Sequence, residues 1–135
     1  MEEIINWLLN YAYDHGIGVV VFHRAPNIPS MASVPDNMIA INMCWEPKSE
    51  IPFSIAHEIG HILSGDNGHF LPTKTAQSQA ERRANHQAVK ILMKWADSHD
   101  VEVTTPQHFS ECFGVPNTLS DSINEEFGEY KCRAK

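Results

Sequence analysis

The residues with the clearest chemical potential are His57-Glu58-Ile59-Gly60-His61. On a helix, side chains four apart project from one face, so the two imidazoles stand one above the other. Imidazoles at that spacing can bind one Zn²⁺ ion. Glu58 is turned roughly 100° from His57 but lies three residues before His61. It can reach a water on the metal without being a ligand. This is the H-E-x-x-H arrangement, which pairs two zinc ligands with a general base. With 8 His and 11 Glu in the chain, roughly 0.04 such matches are expected by chance. Two half-exposed histidines on an ordinary helix are the bland alternative. The apolar residues interleaved with the motif favour the metal reading.

A catalytic zinc site has three protein ligands and one open position. Glu81 follows His61 by 20 residues, on the next helical segment. Its carboxylate would complete a His₂Glu set like that of thermolysin-type sites. Asn85, four residues on, faces the same way and is a candidate to hydrogen-bond and orient a ligand. A solvated Glu81 beside Arg82 and Arg83 is the competing reading. Asp66 and His69 are rival ligands because both follow the motif closely, and His69 is the better of the two.

The other histidines read more plainly. His15 sits near a helix end, where positive charge is favourable. His23 follows a strand, His86 and His99 read as exposed, and His108 lies in the tail. Any of these, or Tyr130, could stabilise an oxyanion, and the sequence does not choose among them. Cys44, Cys112 and Cys132 are odd in number and widely spaced. They form no CxxC pair and point to free thiols in a reducing compartment.

The elements that position these residues follow from periodicity. Residues 3–14 repeat apolar side chains as an amphipathic helix does, with Gly16 as its stop. GVVVF (Gly18–Phe22) reads as a strand. MASV (31–34) and MIAIN (38–42) flank Pro35-Asp36-Asn37 as the arms of a hairpin. A helix is expected over 52–64, with Pro52 in its first turn and Ser64-Gly65 at its end. Its predicted apolar face is Ile55, Ile59, Ile62 and Leu63. A long helix is expected over 76–99, capped by Thr75. Its predicted buried stripe is Ala80, Ala84, Ala88, Ile91, Leu92 and Trp95, and the small alanines would let another helix approach closely. Two short helices, 106–113 and 118–129, form the tail. The expected fold is α+β: one mainly helical, zincin-like domain over 1–135. Residues 1–50 supply a helix and a small antiparallel sheet, 51–100 supply two active-site helices packed on each other, and 101–135 supply the helical tail.

Composition sets outer limits. Apolar types make up 42% and charged types 20% of 135 residues, which is ordinary for a globular chain able to build one core. The formal charge of −7 repels phosphate backbones, so direct nucleic-acid binding is not expected. No apolar run approaches a membrane span, and the acidic N-terminus is unlike a signal peptide. A cytoplasmic protein is expected.

These segments together resemble the ImmA/IrrE family of zinc metallopeptidases. The resemblance runs from YAYDHGIGVVVF through the IAIN strand and PFSIAHEIGHILSGD to AERRANHQAVKILM, which is similar to the family's E-x-x-A-N helix. HEIGH alone marks many zincins, whereas the IN strand, the F-x-x-AHE-x-GH block and E-x-x-AN together are far more specific. The resemblance implies one zinc per chain on His57, His61 and Glu81, with Glu58 as catalytic acid/base, a gluzincin-like metalloendopeptidase. It implies a protein substrate, a helix-turn-helix repressor in a bacterial or prophage regulatory switch. The segment after Asn85 departs from the family's more usual aromatic residue there and proline after the helix. With no appended DNA-binding or sensor domain, the chain is expected to need a partner for specificity or control.

Two other function classes compete. A zinc-containing but non-catalytic anti-repressor would act by capturing a basic partner. It would remove a repressor stoichiometrically, without new fragments. A DNA-binding tail is faintly suggested by ECFGVPNTLSDSI, but Leu119, Ile123 and Phe127 at spacing four read more simply as a packing face.

Overall fold

A computed structural model of the chain describes residues 1–66 and 72–133. Helix α1 (Glu2–Asp14) is followed by strands β1 (Gly18–Phe22), β2 (Met31–Ser33) and β3 (Met38–Asn42). Then come α2 (Ile51–Ser64), α3 (Lys74–Ser98), α4 (Pro106–Phe113) and α5 (Ser120–Arg133). The α+β class holds, and the helices fall within a few residues of their expected bounds.

The sheet corrects the expected antiparallel arrangement. Its order is β1-β3-β2. β2 and β3 form the expected antiparallel pair, with Ala32 opposite Ile39. β1 runs parallel to β3, with Val19 opposite Ile39 and Val21 opposite Ile41. The cause lies in the 23–30 segment, which carries the chain past β3 to the far edge before it turns back. Asn42 holds that segment. Its side-chain amide donates to the carbonyls of Ala25 (2.9 Å) and Ile28 (2.8 Å), and its Oδ1 accepts from the backbone N–H groups of Cys44 (3.0 Å) and Arg24 (3.3 Å). A fully buried amide that fills its donors and acceptors in this way is a structural pin.

Helix α2 lies at the centre, packed against α1 and the sheet on one side and α3 on the other. Ile55 and Ile59 are buried as expected, but Leu63 is exposed, because the helix ends there against solvent rather than against core. The close approach predicted from the alanines occurs at Gly60. A Cβ on Gly60 would sit 2.5 Å from the carbonyl oxygen of Ala84. Only glycine lets the two backbones touch here.

The α3 cap is Thr73, not Thr75. Its hydroxyl accepts from the Ala76 N–H at 3.0 Å. Both threonines are competent caps, and the helix starts from the earlier one. Beyond Asn85 it continues unbroken to Ser98. Ala80, Ala84, Ala88, Ile91 and Leu92 are buried, whereas Trp95 is half-buried, stacked on His99 and edge-on to Phe113. In the tail, Ile123 and Phe127 are buried among Phe109, Phe113 and α3. The packing face expected of Leu119, Ile123 and Phe127 is thus present, with Leu119 half-buried at its edge. α5 begins at Ser120, after a 3₁₀ turn, and runs on to Arg133. No helix among the described residues is long and apolar enough to cross a membrane.

Candidate metal centre

The site forms where α2 and α3 cross. Gly60 brings the helices together, and the turns beside that contact carry the polar side chains. His57 and His61 project from α2 with their rings edge-on, 4.8 Å between centroids. Glu81 projects from α3 to meet them. Its Oε2 lies 2.6 Å from His61 Nε2 and 3.4 Å from His57 Nε2. The three ligand-type atoms lie within 4.8 Å of one another.

The hydrogen-bonding bears on what this group can hold. His61 Nδ1 lies 3.3 Å from the backbone carbonyl of Asp66. A carbonyl only accepts, so Nδ1 carries the proton. In the neutral ring Nε2 is then a bare lone pair facing a carboxylate oxygen. Two acceptors at 2.6 Å require a positive centre, either a proton on the ring or a metal ion. Burial opposes charge on His61, but the Glu81 hydrogen bond and the charges of Glu81 and Glu58 outweigh it and raise its pKa. Burial likewise works to raise the Glu81 carboxyl, yet the hydrogen bonds and charges of both histidines hold it well below the usual carboxylate range. His57 Nδ1 is buried and without a hydrogen-bond partner among the described residues. Two imidazoles and a carboxylate are a donor set that fits zinc.

Glu58 is half-buried on the same helix. Burial pushes its carboxyl up to about 7, against the lowering pull of His57 and His61 and with a further upward push from Glu81.

The remaining expectations divide. Asn85 is buried on the Glu81 face of α3, and its Oδ1 has no partner among the described residues. It lines, with Glu81, a cleft of about 540 Å³ between α3 and α5. The carboxylate of Asp66, one of the two rival ligands, is drawn to Arg83, whose Nε donates to it at 2.7 Å. Asp66, whose own carbonyl meets His61, is thereby tied to α3. His69, the other rival, lies outside the described residues. The expectation that His86 and His99 are exposed is corrected. His86 is half-buried with Nδ1 3.0 Å from Glu126 Oε1, and His99 Nδ1 donates to the Trp95 carbonyl at 2.8 Å. The His86–Glu126 pairing spans 40 residues and had no periodic signal to reveal it. All three cysteines are unpaired.

No curated protein and no solved structure matches the chain. The model of a peptidase family, described as the IrrE N-terminal-like domain, matches residues 15–116. That span takes in the sheet, both site helices and α4, and leaves out all of α1 and all of α5. With most of its length matched, the chain belongs to the ImmA/IrrE family, a family of metallopeptidase type.

Proposed function

We propose that the protein is a zinc-dependent endopeptidase, with His57, His61 and Glu81 holding one Zn²⁺ and Glu58 acting as general acid/base. The observation that carries this is the meeting of Glu81 with both motif imidazoles across two helices. Bound there, zinc would supply a Lewis acid that acidifies a water and polarises the scissile carbonyl. Glu58 takes the proton of the attacking water and returns it to the leaving amine. His61 is held in register by the Asp66 carbonyl, and Asp66 in turn by Arg83. The substrate is a protein, and the family points to a helix-turn-helix repressor in a bacterial or prophage switch, in the cytoplasm.

The test is zinc content by elemental analysis, beside Glu81→Ala, followed by a cleavage assay on a neighbouring helix-turn-helix repressor. One tightly held zinc per chain in protein purified without added metal, weakened or lost in the variant, with new repressor fragments, is the expected result. Zinc indifferent to Glu81→Ala would overturn the ligand set. Stoichiometric repressor removal without fragments would overturn the hydrolytic reading in favour of a non-catalytic anti-repressor.

A further inference from the structure

A second cluster of ligand-type side chains lies where α5 packs on α3, on residues the first site does not use. His86 on α3 faces Glu126 and Glu129 on α5, with one ligand atom from each within 4.8 Å of the others. Glu126 and Glu129 are three apart on a helix and share a face. Glu126 is only 5% exposed. A carboxylate at that depth requires a hydrogen-bond partner, and His86 Nδ1, 3.0 Å away, is the one it meets. Glu129 is exposed, and with His86 and Glu126 it lines an open cleft of about 450 Å³. The cluster is therefore anchored at a buried end and open at the other, so an ion can enter without unfolding anything.

We propose that His86, Glu126 and Glu129 form a second divalent transition-metal site that ties α5 to α3. One imidazole and two carboxylates are donors suited to zinc or manganese, and facing helices commonly supply such sets. Glu129 is held by Arg133 at 2.7 Å, so an incoming ion displaces that arginine into solvent. The site is accordingly weaker than one with free donors. Its consequence reaches the first site. Glu126 also lines the 540 Å³ cleft that Glu81 and Asn85 border, and Leu119, Ser122 and Glu125 of the tail make the opposite wall. An ion on Glu126 would fix that wall in place.

Equilibrium dialysis against Zn²⁺, with the bound metal counted, tests this on the full chain. Wild type is expected to take up two equivalents. His57→Ala is expected to lose one and keep the other, whereas His86→Ala is expected to lose the opposite one. Because the two variants remove different equivalents, failure of the first site is distinguishable from failure of the second. Glu129→Gln, a change at a surface position with little risk to folding, should weaken the second equivalent at least about tenfold, and Arg133→Ala should tighten it. In the His57→Ala background, zinc should slow amide exchange in α5, an effect absent from His57→Ala/His86→Ala. A single equivalent in wild type, or a second equivalent unchanged by both His86→Ala and Glu129→Gln, would overturn the proposal.

Discussion

Glu58 and Asn42 illustrate two kinds of polar burial. Asn42 fills its hydrogen-bonding capacity with Arg24, Ala25, Ile28 and Cys44, so its work is structural. Asn42→Ala leaves two carbonyls and two N–H groups without their partner, and a loss of about 2–4 kcal/mol is expected in denaturant unfolding. Metal binding should be much less affected, since Asn42 lies on the sheet and not on α2 or α3. Glu58 is half-buried, and burial pushes its carboxyl up to about 7, which is unusual for a purely structural carboxyl. Glu58→Gln keeps the shape and removes the base. The expected outcome is full zinc occupancy with cleavage reduced about 10²–10⁴-fold, the usual worth of a positioned acid/base. Unchanged turnover would remove Glu58 from the mechanism. The motif itself was legible because its geometry is local: four residues of helix determine the spacing of His57 and His61. Glu81 was legible as a candidate, but its meeting with the imidazoles depends on how two helices cross. The His86–Glu126 pair was invisible, because no local rule links positions 40 apart.

At the scale of elements, the helices could be read because each carries its own period and its own stops. Gly65, with φ +76°, ends α2 where the Ser64-Gly65 signal placed the end. The direction of β1 could not be read, because five residues of GVVVF fit a parallel or an antiparallel neighbour equally well. What decides it is the path of 23–30, and that path rests on Asn42. The crossing of α2 and α3 rests on a single missing methyl group. Gly60→Ala would place Cβ 2.5 Å from a backbone oxygen that cannot rotate away. The helices must separate, at a cost of about 1–3 kcal/mol for overpacking. Separation also draws Glu81 away from His57 and His61, since all three are placed by this crossing. Gly60→Ala should therefore lower both thermal stability and zinc affinity, although it touches no donor atom. A variant with the stability loss but wild-type zinc affinity would show that the Glu81 contact tolerates a shift of the helices.

For the whole molecule, the question is how far the fold depends on the metal. The core is extensive, with Leu8, Ile41, Phe53, Ile59, Leu92, Phe109 and Ile123 among its fully buried residues. A chain of this size can hold its fold by apolar burial alone. Without metal, a protonated His61 can still bridge to Glu81 at 2.6 Å, so the site does not collapse into unpaired charge. Chelation is therefore expected to leave the far-ultraviolet spectrum intact. It should still lower the melting temperature, because an ion bound only by the folded state stabilises it by mass action. With zinc at 100 to 1,000 times its dissociation constant, the stabilisation is about 3–4 kcal/mol. At roughly 4 °C per kcal/mol for a domain of this length, chelation should lower Tm by about 10 °C or more. His57→Ala should melt near the chelated wild type and respond less to the chelator. If chelation leaves Tm unmoved in protein that demonstrably carried zinc, the ion is not held jointly by α2 and α3. The His₂Glu assignment would then fail, however well the motif fits.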